Sequence, residues 1–113
     1  MTTLRNSVQL IGRLGTEPKT FEFDGGKMKT TFSLATSDYY KNKEGDRVEE
    51  TQWHNIVAWG KTAKVASEYL KKGKEIALEG KLVNRSWEDK NGQKHYITEI
   101  VANQILMLDK KAN

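Results

Sequence analysis

The stretch QWHNIVAWGKTAKVASEYLKKG, Gln52 to Gly73, changes its hydrophobic period midway, and that change decides the fold. Through Trp59 the side chains alternate with period two, as a strand requires. Ile56 and Ala58 fall on one parity, and Trp53, Val57 and Trp59 on the other. From Thr62 the period is helical: Ala63, Ala66 and Leu70 make one stripe, flanked by Val65 and Tyr69. Thr62 is the expected N-cap, since a hydroxyl there can accept from an orphan amide of the first turn. Lys71 and Lys72 suit the negative end of the dipole, and Gly73 is the expected stop.

Upstream of this stretch, Leu4 to Leu14 alternates, with Leu4, Val8, Leu10 and Leu14 on one parity and Arg5, Ser7, Gln9 and Arg13 on the other. Only Ile11 breaks the pattern. Gly15 to Pro18 is a turn, and Phe21 and Phe23 begin a short strand that ends at Asp24-Gly25-Gly26, a hairpin signal. Met28 to Thr36 alternates again, with Met28, Phe32 and Leu34 inward and Lys29, Thr31 and Ser33 outward. Residues 41–50 carry almost no apolar side chain and predict a solvated, mobile hairpin loop.

Downstream, Glu75 to Asp89 and His95 to Leu108 predict a long hairpin around Lys90-Asn91-Gly92-Gln93, with Asn91-Gly92 as the tight turn. Its inner half is apolar (Ile76, Leu78, Leu82, Ile100, Val101), and its polar tip projects from the body. The order is strand, strand, strand, helix, strand, strand, with an extra short strand after the first. That order predicts a mainly all-β chain: a five-stranded OB-fold barrel with one short helix between strands 3 and 4 and long protruding hairpins. A chain of 113 residues has room for one domain, expected over residues 1–109, with a short basic end at 110–113.

Composition narrows function only slightly. The net charge of +4 is compatible with nucleic acid but common among other proteins. The chain has no cysteine, which excludes disulfides and thiolate metal sites. No apolar run approaches the roughly 20 residues of a membrane span, and Met1 to Asn6 lacks a signal-peptide core, so a cytoplasmic location is expected.

The tryptophans say more. Trp53, Trp59 and Trp87 each stand beside polar or charged residues, and Trp87 shares a parity with Lys81, Val83 and Arg85. Flat rings interleaved with cations can stack unpaired bases while holding their phosphates. The candidate phosphate contacts are Lys41 and Lys43, beside Arg47 in the loop, then Lys61 and Lys64 on the helix, and Lys81 and Arg85 leading to Trp87. Glu44, Asp46, Glu49 and Glu50 dilute the loop, so the barrel faces should carry the phosphate path.

Other motifs fail on inspection. Gly60-Lys61-Thr62 ends like a P-loop, but Asn55 stands where that motif needs glycine. Asn84-Arg85-Ser86 matches a glycosylation sequon without any sign of secretion. His54 and His95 have no metal-ligand context, and His54 reads as a packed or interface histidine. Asp38, Glu49 and Glu50 lack the paired spacing of a metal-dependent nuclease. Neither a metal site nor a nuclease centre is therefore expected.

With these residues laid out, the chain resembles the bacterial single-stranded DNA-binding protein family. The matching stretches are Asn6 to Gly15 with Pro18, Phe32 to Ser37, Thr51 to His54, Trp59 to Lys61, Ala66 to Gly73, Glu79 to Leu82, and Trp87. Together they run from about residue 4 to residue 108. The short, tailless primosomal replication protein N-like factors are the nearest rival, but Trp53-His54 and Trp87 favour the main family.

The resemblance implies an OB fold, a homotetramer, and sequence-tolerant wrapping of single-stranded DNA in replication, recombination and repair, in the cytoplasm at the bacterial nucleoid. It implies neither cofactor nor catalysis. Carried over by position, its base-stacking rings are Tyr40, Trp53, Trp59 and Trp87. Parity continued from Phe32 and Leu34 instead puts Tyr39 on the polar face unless a bulge intervenes, so Tyr39 stays open as the alternative. Members of the family usually continue into a flexible tail with an acidic tip, whereas this chain ends Leu108-Asp109-Lys110-Lys111-Ala112-Asn113. Recruitment of replication and repair partners through such a tail is therefore in doubt for this chain.

Overall fold

The computed structural model describes residues 4–108. The expected end segment at 110–113, and residue 109 before it, lie outside them. Six strands and one helix follow in the order β1 (Val8–Leu14), β2 (Lys19–Glu22), β3 (Met28–Lys41), β4 (Arg47–Trp59), α1 (Gly60–Tyr69), β5 (Glu75–Glu88) and β6 (Lys94–Met107). The pairing runs β1-β5-β6-β4-β3, and β1 returns to β3 at Arg13↔Ala35 and Leu14↔Leu34. Five strands thus close into a barrel with the OB plan, including the parallel contact of β4 with β6. The short β2 adds to β3 outside the closed ring.

The even positions of β3 and β4 fill the barrel. Leu14, Phe32, Leu34, Ile56, Ile76, Leu78, Ile100 and Ala102 form the core. Helix α1 closes one end with Ala63 and Ala66, and Leu70 just beyond it completes the plug. Closure needs close backbone approach at Gly12, where a Cβ would lie 2.1 Å from the carbonyl oxygen of Ala35. Thr30, fully buried beneath the helix, donates to the Ala63 carbonyl at 3.0 Å and shares a hydrogen bond with Thr20.

Several boundaries differ from the sequence reading. β1 starts at Val8, and Leu4 is fully exposed. The strand is displaced there because the Asn6 side chain bonds both the carbonyl and the amide of Leu82, at 3.0 and 2.8 Å, in place of a strand partner. The helix begins at Gly60, whose φ of +61° turns the chain directly out of β4. Trp59 therefore occupies the N-cap position without a side-chain cap, and the Thr62 hydroxyl reaches the Asn103 carbonyl. Leu70 leaves the helix for the core, so Lys71 and Lys72 fall beyond the last turn and do not cap the dipole.

Half of the polar stretch 41–50 is strand, at Lys41 and from Arg47 on. β3 and β4 continue into an arm closed by a turn over residues 42–46. Asn42 Oδ1 accepts from the amides of Glu44 and Asp46, both at 3.0 Å, and Gly45 has φ +84°. The second arm is closed in the same way. Asp89 Oδ1 accepts from Asn91 and Gln93, and Gly92 has φ +81°, so Asn91-Gly92 sits inside a wider loop and is not a two-residue turn. Leu82 is half exposed, because the β5–β6 arm leaves the barrel beyond the register shift at Glu79/Gly80.

Candidate nucleic-acid interface

Strand register decides which side chains share a surface. β3 and β4 pair without interruption from Lys29↔Trp59 to Lys41↔Arg47. Directly opposed residues stand on the same face, so Trp53, Asn55, Val57 and Trp59 lie beside Ala35, Ser33, Thr31 and Lys29, away from the core. β6 meets β4 at Val57↔Val101, and its pairing with β5 places Lys81, Val83, Arg85 and Trp87 beside Val101, Glu99, Ile97 and His95. β2 adds Lys19 opposite Thr31 and Phe21 opposite Lys29. All three tryptophans therefore belong to one continuous outer surface.

Each tryptophan ring on that surface is backed by a neighbour. Trp53 is 64% exposed, yet a Cβ built at Gly15 would lie only 2.2 Å from its Cζ3, so the ring rests against the Gly15 backbone. Trp59 stacks on Phe23 (6.2 Å between centroids, 30° between planes) and has the Lys29 Nζ 5.5 Å from its ring. Trp87 stacks on His95 at 4.4 Å and 20°. His95 Nε2 in turn meets Asp89 Oδ2 at 2.8 Å. That hydrogen bond, helped by the amides of Gln93 and Asn91, holds the Asp89 carboxyl below its ordinary range.

The two tyrosines separate by face. No bulge interrupts β3 and β4, so Tyr39, opposite Glu49, joins the face of Trp53, while Tyr40, opposite Val48, lies on the other side of the arm. The Arg47 guanidinium covers one face of the Tyr39 ring at 3.9 Å. Tyr40 is half exposed and has no ring or cation stacked on it among the described residues.

The expected cations are dispersed. Lys81 lies on the tryptophan surface, Lys41 at the end of the β3–β4 arm, and Lys43 in its turn. Lys61 and Lys64 are exposed on α1, and Lys61 lines a cleft with Asn103 and Ile105 at the edge of β6. Arg85 is not a free cation. Its Nε and one terminal nitrogen form two 2.8 Å bonds to Glu99, which raise its pKa, and three of its five N–H groups remain.

His54 is half-buried with its Nε2 2.9 Å from Thr36 Oγ1, a packed histidine. No three His, Asp or Glu side chains gather as metal ligands among the described residues, and none of their helices is long and apolar enough to cross a membrane.

The sequence reading passed over the contribution of β2. Lys19, Phe21 and Phe23 share one parity, and the register turns Lys19 and Phe21 onto the tryptophan surface. Their alternation was visible, but a half-buried strand with a core-facing pair of phenylalanines has the same pattern.

Comparison with known proteins agrees with this fold. Residues 5–108 match the family model described as the single-strand binding protein family. A curated relative from Chlorobaculum tepidum, single-stranded DNA-binding protein 1, is 49% identical over 94% of this chain. A protein of the same description from Xylella fastidiosa is 45% identical, also over 94% of the chain. The chain spans just under two thirds of the first relative (66%) and 79% of the second. Among solved structures, the Plasmodium falciparum SSB complex with ssDNA superposes with a TM-score of 0.85 at 32% identity, covering 96% of this chain and 99% of that one.

Proposed function

The chain belongs to the single-strand binding protein family, and from that premise we propose that it binds single-stranded DNA without base preference and shields it during replication, recombination and repair. The observation that carries this reading is the single outer surface on which Trp53, Trp59 and Trp87 stand among cations. Bases stack on the open ring faces, each contributing roughly 1–3 kcal/mol whatever its identity. Lys41, Lys43, Lys61, Lys64 and Lys81, with the remaining donors of Arg85, contact phosphates and release counterions. Tyr40 is the fourth ring, met where the strand passes around the β3–β4 arm. The reading assigns no catalysis and no cofactor, and places the protein in the cytoplasm at the nucleoid.

The same reading makes the protein a homotetramer. Its support is a second outer face, on β1, β5 and β6, where Ile11 and Leu106 are both more than 60% exposed and flank a cleft floored by Leu10, Ala77 and Leu78. Burying such a face against another copy removes apolar area from water. Native mass spectrometry tests it.

Oligo(dT) titration at two salt concentrations, followed by tryptophan emission, tests the binding. The expected result is strong quenching, with log K falling by about 0.7 per neutralised phosphate for each tenfold rise in salt. Tighter binding to duplex would refute it, and unquenched emission would refute it in favour of an assembly module with its aromatic rings between subunits.

A further inference from the structure

We propose that the cleft between β2 and the β5–β6 arm is a further nucleotide subsite, in which Phe21 stacks a base and Lys19 and Lys29 hold the flanking phosphates. The inference deepens the single-strand reading and rests on it. Its core is a row of three residues across adjacent strands. Phe21 on β2 opposes Lys29 on β3, and Lys29 opposes Trp59 on β4. Ring, cation and ring therefore stand in line, with the two rings about 10 Å apart at two strand spacings. A phosphate on Lys29 would lie between a base on Trp59 and a base on Phe21.

The Phe21 side chain has no evident structural duty. All four residues of β2 are exposed, and it is Thr20, on the other parity, that bonds inward to Thr30. Phe21 itself is 46% exposed, and no ring or cation is stacked on it among the described residues. In this it differs from Phe23, which is committed to Trp59. An outward phenylalanine on an edge strand is otherwise a liability for association.

The cleft has the size and polarity for a nucleotide. Its volume is about 420 Å³, with Thr31, Asn55 and Val57 as floor and Arg85 and Ile97 across from Phe21. That lies within the usual range for small-ligand clefts. The Asn55 amide can both donate to and accept from a base edge, so it is satisfied by any base. Two carboxylates line the cleft, and both are engaged: Glu99 by Arg85, and Glu17 by the amide of Lys72 at 3.1 Å. The amide leaves the Glu17 charge in place, so Lys19 and Lys29 outweigh it and the cleft is net positive.

The test combines affinity and contact in the full chain. Phe21→Leu keeps apolar bulk but removes the π face. It is expected to weaken oligo(dT) binding about tenfold, within the span of one stacked base, and to leave the thermal midpoint unchanged. In the unaltered protein, oligo(dT) carrying 5-iodouracil should photo-crosslink to the peptide containing Phe21. Wild-type affinity in Phe21→Leu beside a loss in Trp53→Ala, or no crosslink within residues 19–29, overturns the subsite and leaves the parent reading standing. Failure of the unaltered protein to bind oligo(dT) overturns both.

Discussion

Replacing Gly15 with alanine should separate binding from folding. A Cβ there would stand 2.2 Å from Trp53 Cζ3, 3.0 Å from its Cη2 and 2.9 Å from Ser33 Oγ. Carbon atoms pack at about 3.5–4.0 Å, so the ring edge must retreat by roughly 1.5 Å. The backbone can accept the change, because Gly15 is not among the glycines with positive φ, and its amide bond to the Ser33 carbonyl at 2.9 Å is untouched. The ring is 64% exposed and free to tip outward. Stability should then change by no more than about 1 kcal/mol, the range of a surface substitution with a local adjustment. Binding should suffer more. A ring lifted from its seat must be ordered when a base arrives, and the expected loss is up to a whole stacking contact of roughly 1–3 kcal/mol, about five- to 150-fold in Kd. Thermal melting and oligo(dT) titration of Gly15→Ala, with Trp53→Ala alongside, separate the two effects. Wild-type affinity in Gly15→Ala with a weakened Trp53→Ala would refute the reasoning, and so would a large loss of melting temperature.

Three other perturbations follow from the same geometry. Arg85→Ala leaves the largely buried Glu99 carboxylate without its bidentate partner. Because Arg85 is itself half exposed, the expected loss is about 1–2 kcal/mol by urea denaturation, which Arg85→Lys restores only in part since an ammonium cannot make the paired bonds. Tyr40→Ala should weaken oligo(dT) binding by about fivefold or more, and Tyr39→Ala by less, because Arg47 already occupies one face of the Tyr39 ring; the opposite order in titration would confine the path to the Trp53 face. The depressed Asp89 carboxyl stabilises its turn above the ordinary aspartate value of about 3.9, and that contribution is lost as pH falls through the lower folded value. The amide resonances of Asn91 and Gln93 should shift in that acid range, and Asp89→Asn should abolish the step.

The alternation at Met28 to Thr36 and the switch of period after Trp59 were legible because one face of each segment is buried, so burial wrote the pattern into the residues. The arms were not legible. Both faces of residues 37–41 and 47–51 meet water, so nothing selects apolar side chains at period two, and strand reads as loop. The helix cap misled for a different reason. Gly60 reverses the chain through its own positive φ and needs no hydroxyl, which makes Thr62 a capping residue in the wrong place. For the surface, parity placed Trp53, Trp59 and Trp87 correctly within their own strands. It could not reveal that three strands present them to one side, nor that β2 joins them, because those facts depend on pairing between distant segments.

Pairing also explains why rings this large remain outside a barrel whose core holds mostly aliphatic side chains. Each tryptophan is backed by a neighbour: backbone at Gly15, a second ring at Phe23 with the Lys29 ammonium also over Trp59, an imidazole at His95. A freely rotating ring would lose its rotamer entropy only on binding, at roughly 0.5–1.5 kcal/mol for each side chain ordered. A ring backed in advance has already lost that freedom on folding, so more of the stacking energy appears as affinity. The backing groups also differ in chemistry, so Trp87, held by a histidine that is itself bonded to an aspartate, is the ring whose support depends on ionisable groups. Trp53, seated on bare backbone, has support that no proton can alter. As the Asp89 carboxyl protonates in acid, below its ordinary range, the emission change on oligo(dT) binding should therefore weaken at Trp87 before it weakens at Trp53.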